Sequence, residues 1–205
     1  AAMLAILSLL PIAVMAQPAI EVDFDGTYTA GVFSDWQTSR DGWGDPLNPQ
    51  ETTPGRGGSG SAQALVVSNG NHFVYRTLTG LTTGRDYEVS VWVRTFFADG
   101  STGDPGTDSW VEFGWDSDAN DSPAQVDLWN VAPKFDFGSN MGSWVQYTGE
   151  QFTATGDSVT IAFKVGSVDA TNGIRGEFDD LQISEVTRPV QTFSFPDDFN
   201  GTYTL

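Results

Sequence analysis

The chain has 205 residues, 39 % of them apolar and 13 % aromatic, which is enough to build a packed core and argues against disorder. Twenty-seven acids against nine bases give a formal charge of −18, a surface that repels phosphate backbones and argues against a nucleic-acid partner. With no cysteine, disulfides, thiolate zinc sites and cysteine nucleophiles are excluded.

Residues Ala1 to Ala16, AAMLAILSLLPIAVMA, are uncharged and almost wholly apolar, and Val14-Met15-Ala16 suits a signal peptidase just before Gln17-Pro18. The segment is shorter than the about 20 residues a membrane span needs. It is read as a bacterial-type signal peptide lacking its own start. The mature protein is then secreted or at the cell surface, with no membrane insertion after cleavage.

From Ile20 onward, period-two alternation between turn residues recurs and no three-turn amphipathic helix is evident. In DYEVSVWVRTFF (Asp86 to Phe97), Tyr87, Val89, Val91 and Val93 share one face; Glu88, Ser90, Trp92 and Arg94 share the other. In SWVEFGW (Ser109 to Trp115), Val111, Phe113 and Trp115 alternate with Trp110, Glu112 and Gly114, and SVTIAFKV (Ser158 to Val165) repeats the pattern. Further strands are expected at Ala62 to Ser68, His72 to Leu78, Trp144 to Ala154 and Gly176 to Ser184. Seven or more strands without helical interludes predict an all-β, antiparallel sandwich of two sheets. Gly-, Asp- and Pro-rich loops (Gly55 to Ser61, Phe97 to Ser109, Asp116 to Pro123) join them, and such loops are where binding groups tend to be carried.

The last eight residues, DFNGTYTL (Asp198 to Leu205), repeat six of the eight in DFDGTYTA (Asp23 to Ala30). The organisation expected is a signal peptide at 1–16, one sandwich at 20–185, a Pro-bearing linker at 186–196, and the start of a second module at 197–205.

SAQALVVSNGNHFVYRTLTGLTTGRDYEVSVWVRT (Ser61 to Thr95), with Thr79 to Arg94 following a T-G-L-x-x-G-x-x-Y-x-x-S-x-W-V-R phrase, resembles the calcium-containing jelly-roll carbohydrate-binding modules of the galactose-binding-like sandwiches. VFSDWQTSRDGW (Val32 to Trp43), Trp144 to Val165 and FDDLQI (Phe178 to Ile183) resemble that family's opening and closing strands. The resemblance implies a jelly roll, polysaccharide binding on aromatic and polar side chains, and attachment to further domains. It also implies a structural calcium. Asp179 and Asp180, costly to bury unpaired, are its candidate ligands, with Asp35 near the first strand. The family's opening strand often carries a Glu ligand directly after its Phe, whereas here Phe33 is followed by Ser34.

Trp92, Arg94 and Arg76 are candidate glycan contacts: a Trp face stacks on pyranose C–H groups, and two arginines on one face would suit a uronate. Trp110, Trp115 and Trp129, in or beside long loops, are the other candidate platforms. Packing is the competing role for each. No nucleophile motif surrounds His72, the single histidine, and no catalytic residue is assigned; Glu112 is the acid that a hydrolase or lyase reading would use. The function expected is a secreted non-catalytic carbohydrate-binding module. The alternative is an adhesive module of a tandem-repeat surface protein.

Overall fold

The computed structural model describes residues 18–41, 48–102, 109–117, 128–130, 142–149, 151–168 and 173–187. The predicted signal segment, Trp43, most of the Asp116 to Pro123 loop, most of the linker and the repeated C-terminal phrase lie outside them. Within the described residues the chain is strand and turn, apart from one 3-10 turn at Arg56–Gly58.

Among the described residues, fourteen strands form two main sheets and a small hairpin. The seven-stranded sheet holds β1 (Ile20–Val22), β5 (Asn48–Thr52), β6 (Ala62–Val67), β8 (Asp86–Phe97), β11 (Val145–Thr148), β12 (Phe152–Thr153) and β14 (Ile174–Glu185). The five-stranded sheet runs β10 (Leu128–Asn130), β9 (Ser109–Asp116), β13 (Ser158–Ser167), β7 (Gly70–Thr79) and β4 (Gln37–Asp41). A hairpin of β2 (Tyr28–Thr29) and β3 (Val32–Phe33) lies apart. All pairings are antiparallel, and successive strands change sheet at β4–β5, β6–β7, β7–β8, β8–β9, β10–β11, β12–β13 and β13–β14. This is the all-β sandwich the alternation predicts.

Strand β14 sits inside its sheet. Its whole length pairs with β8, while on its other edge Ile174 to Phe178 pair with β6 and Leu181 to Ile183 with β1. The register with β8 shifts between Asp179 and Gln182, a bulge at which Asp180 takes φ 45°. The single strand expected over Trp144 to Ala154 is two. Both β11 and β12 pair with β8, and the register slips between the Thr148–Ser90 pair and the Phe152–Tyr87 pair, which breaks the ladder.

The alternating faces meet in one core. Tyr87, Val89, Val91 and Val93 of β8, Val111 and Phe113 of β9, and Val159, Ile161 and Phe163 of β13 are all buried in it. Trp36 stacks on Phe163 (centroids 5.3 Å apart, planes at 10°), and Phe163 stacks on Phe178 of the facing sheet (4.3 Å, 11°). Three parallel rings thus tie the two sheets together. The side chain of Gln63 fastens the β2–β3 hairpin. Its Oε1 accepts from Phe33 N (2.9 Å), and its Nε2 donates to Gly31 O (3.0 Å) and Gln50 O (3.2 Å).

Candidate functional site

The outward positions of the five-stranded sheet carry the first candidate surface. In β9 the core takes Val111, Phe113 and Trp115, so Trp110 and Glu112 face out. Glu112 is paired across the ladder with Lys164 of β13, and their side chains form an ion pair. Phe73 and Tyr75 of β7 and Ala162 of β13 make a separate apolar cluster on this same outer side, with Phe73 5 % and Tyr75 8 % exposed. The Tyr75 hydroxyl donates to Gln37 Oε1 of β4 (3.2 Å), and the hydroxyls of Thr77 and Thr160 bond each other (2.8 Å).

Trp110 is the partly open aromatic of this surface. Its indole Nε1 donates to Asn71 Oδ1 at 2.8 Å, a bond from β9 over β13 to β7. The ring fills the space above Gly166, which lies between them in the sheet: a Cβ there would overlap indole Nε1 and Cε2 and Asn71 Oδ1. Only glycine leaves room for this close approach. The consequence is an indole fixed at one edge and laid against backbone, next to a carboxylate–ammonium pair. Such a surface offers stacking on the indole and, beside it, an amide and a largely covered ion pair, with the Lys164 and Glu112 side chains 15 % and 14 % exposed.

The outer face of the seven-stranded sheet is the second surface. Trp92 and Arg94 project from β8 away from the core, as the alternation predicts. The Arg56 guanidinium lies 4.5 Å from the Trp92 ring centroid, and Arg56 also pairs with Asp180. Arg94 binds Glu177 of β14 and lies 4.6 Å from the Trp144 ring and 5.0 Å from Phe96.

The remaining predicted contacts are dispersed. Trp115 is 3 % exposed and packs on Phe113 and Phe152 (6.4 and 5.8 Å), so it belongs to the core. Arg76 does not share a face with Arg94: it alternates with Val74 and Leu78 on the inner side of β7 and pairs with Asp35 at 3.6 Å. Either face of β7 is apolar, which is why its alternation does not reveal which one is the core. Trp129 pairs with Gly114 in the β9–β10 ladder, and its side chain lies outside the described residues. His72 is buried on the inner face.

The three acids expected at calcium are likewise not together. Asp35 is held by Arg76, and Asp180 by Arg56. Asp179 is 3 % exposed; its Oδ2 accepts from Arg56 N (2.7 Å) and its Oδ1 from Asp180 N (2.8 Å). Burial pushes its carboxyl up to about 6, against the pull of those two amides, and the charges of Asp180 and Asp25 add to the rise. Among the described residues no three His, Cys, Asp or Glu side chains stand in metal-holding geometry.

What does gather near Asp179 is a different set of oxygens. Asp25 Oδ1 accepts from Ser61 N (2.7 Å), and Ser61 Oγ donates to Glu51 Oε1 (2.7 Å). The Ser61 carbonyl and Asp179 Oδ2 both approach Gly55, at 2.6 and 2.7 Å from where its Cβ would stand. Burial, followed by the charges of Glu51, Asp179, Asp25 and Asp23, pushes the Tyr28 hydroxyl up. Oxygen donors of this kind are what a hard cation prefers, but no three of these carboxylates stand in metal-holding geometry. Asp25 directly follows Phe24, so the Phe–acid pair that the resemblance seeks after Phe33 occurs one hairpin earlier, beyond β1. The sequence signal was there, in the DFDG phrase.

No family model matches the chain, and neither does any curated protein. Among solved structures it is similar to the carbohydrate-binding-module–xylanase fragment of Clostridium thermocellum endo-1,4-β-D-xylanase 10B, complexed with xylohexaose. That match has a TM-score of 0.52 at 16 % identity and covers 88 % of this chain and 30 % of that one. The K3 cleaved adhesin domain of Lys-gingipain from Porphyromonas gingivalis matches with a TM-score of 0.51 at 16 % identity, covering 82 % and 98 %. The tandem carbohydrate-binding modules of Paenibacillus barcinonensis Xyn10C match at 0.46 and 14 % identity, covering 83 % and 46 %. The neighbours thus include several carbohydrate-binding modules, and the likeness at these identities is one of fold. The chain spans about a third of the xylanase fragment's length.

Proposed function

We propose that this β-sandwich is a non-catalytic module that binds polysaccharide on the outer face of its five-stranded sheet. The observation that carries the reading is Trp110, fixed by Asn71 above Gly166 with the Lys164–Glu112 pair beside it. A sugar ring stacks its C–H face on the indole, and the charged pair and the Asn71 amide meet its hydroxyls. Glu112, engaged by Lys164, serves here as a binding group. The fold-level likeness to part of a binding-module–xylanase fragment solved with xylohexaose makes neutral β-linked glycans the first ligands to try. The signal-like Ala1 to Ala16 segment fits an extracellular place of action.

Calcium is part of the same reading. Asp25, Glu51 and Asp179 do not stand in metal-holding geometry as a threesome, so an ion would have to draw them together; bound there, it would compensate the buried Asp179 charge and brace the start of the domain against β14, a structural role.

A glycan array and affinity electrophoresis on the whole chain test the reading. Binding to at least one neutral polysaccharide is expected, lost in Trp110→Ala and kept in Trp92→Ala. A folded protein that retains no glycan would refute it and favour an adhesive module, the second reading, to which the Lys-gingipain adhesin neighbour lends its fold.

A further inference from the structure

Three of the nine basic residues, Arg56, Arg94 and Arg175, lie on the outer side of the seven-stranded sheet, away from the Trp110 surface. Glu177, 2 % exposed, takes two of them. One of its oxygens accepts from Arg94 Nε (2.7 Å) and Nη2 (2.6 Å), the other from Arg175 Nε (2.8 Å). The terminal nitrogens of Arg175 are occupied by Gln50 Oε1 (3.1 Å) and the Thr52 hydroxyl. Two guanidiniums on one carboxylate leave one positive charge unmatched within the triad, and Arg94 Nη1 takes no part in its bonds. The Arg94 plane is also clasped by the Trp144 and Phe96 rings. Arg94, Phe96, Arg175 and Glu177 line an open cavity of about 340 Å³ together with Ala98 and Asp99.

We propose that this cavity is a second glycan site, taking a single uronate residue with its carboxylate on Arg94 and a ring hydroxyl on Asp99. A guanidinium locked by a buried carboxylate is a preset fork, which planar carboxylates match better than any neutral group does. The Phe96 ring, which lines the cavity, suits the apolar side of a pyranose. The cavity lies at the small end of ligand pockets, about 300 Å³ upward, so it fits one sugar ring. Charge sets the same limit: the lining as a whole is neutral, Arg94 and Arg175 against Glu177 and Asp99, and the chain carries −18, so one uronate on a neutral chain is the most the site takes and polyuronates are disfavoured. The partner of Arg94 in this chemistry is Arg175, not Arg76. The Asp99 carboxylate, which accepts from Ser101 N (2.9 Å) and Oγ (2.6 Å), is set to receive a hydroxyl and to repel a second anion.

The test uses the full chain with methyl β-D-glucuronide, methyl β-D-glucoside and acetate as probes, followed by the arginine Nε–Hε NMR signals. The glucuronide is expected to move the Arg94 signal and to bind about tenfold or more tighter than either control, the equivalent of about 1.4 kcal/mol. Ala98→Trp, an exposed position that fills the cavity and leaves Glu177 paired, removes this binding with Tm unchanged. Trp110→Ala retains it, which separates this site from the neutral-glycan surface whether or not that surface binds. Equal affinity for glucuronide and glucoside, acetate as good as the glucuronide, or full binding in Ala98→Trp would each overturn the proposal.

Discussion

Gly166→Ala probes the Trp110 surface without touching the indole. The new Cβ would stand well inside the 3.4 Å at which ordinary contact begins, against Nε1 and Cε2 of Trp110 and Oδ1 of Asn71. The strand beneath is clamped between β7 and β9, so the indole must give way and its 2.8 Å bond to Asn71 breaks. Overpacking costs about 1–3 kcal/mol and the lost hydrogen bond about 1 kcal/mol. At about 2–4 °C per kcal/mol for a chain of this size, Tm falls by about 5–15 °C. Tilting the platform forfeits the roughly 0.5–1.5 kcal/mol that a well-placed aromatic contact adds, so glycan affinity drops about two- to tenfold. The measurement is a double-mutant cycle by calorimetry and glycan titration. In a Trp110→Ala background the indole is absent, and Gly166→Ala should lose most of its effect on Tm. An equal Tm loss in both backgrounds would refute the reasoning, because the strain would then lie elsewhere.

Other expectations concern the base of the domain. Adding calcium at about 100 times its dissociation constant contributes about 2.7 kcal/mol and raises Tm by about 5–10 °C over the EDTA-treated protein; an EDTA-insensitive Tm, or a full calcium response in Asp25→Asn, counts against the site. In EDTA, the Asp179 carboxyl titrates near 6 when folded against 3.8 for an unperturbed carboxyl. Because the folded value is the higher one, protonation favours folding: the contribution is complete below about pH 4 and is lost as pH rises through about 6. It amounts to at most about 3 kcal/mol, read as the difference in urea stability between wild type and Asp179→Asn, and parallel pH profiles for the two would disprove it. Gln63→Leu strands Phe33 N, Gly31 O and Gln50 O, at about 1–3 kcal/mol each; a Tm loss on the order of 10 °C is expected, and a change below 2 °C or so would show that the hairpin is held otherwise.

The strands of the sandwich were legible because their alternation is one-sided. Asp86 to Phe97 is a strand to the residue, since every second side chain is apolar and the others are polar or amphipathic. The same rule placed Trp110 and Glu112 outward and Trp92 and Arg94 outward, yet it could not say that the two pairs occupy different sheets. Sheet membership depends on crossovers, which leave no periodic trace. In β7 the rule failed on Arg76, because Phe73 and Tyr75 make an apolar cluster on the outer side while Val74 and Leu78 face the core. Trp115 was drawn to a binding role by its nearness to a loop, though its parity with Val111 and Phe113 already assigned it to the core. Arg94 and Glu177 are 83 positions apart, and Asp25 and Glu51 each stand more than a hundred positions from Asp179, so no local pattern encodes these groupings.

The last strand of the described residues to be synthesised lies inside its sheet. Until Ile174–Glu185 emerges, β8 has no neighbour on that edge, β6 is paired only with β5, β1 lacks its partner, and the Phe178 ring is missing from the stack on Phe163. Folding therefore waits on the carboxyl end of the domain. The contacts that then close span most of its length, a topology that belongs with the slower folders. A ribosome or protease that stops short of Ile174 leaves an open half-sheet in place of a smaller stable domain, so this module is made whole or not at all.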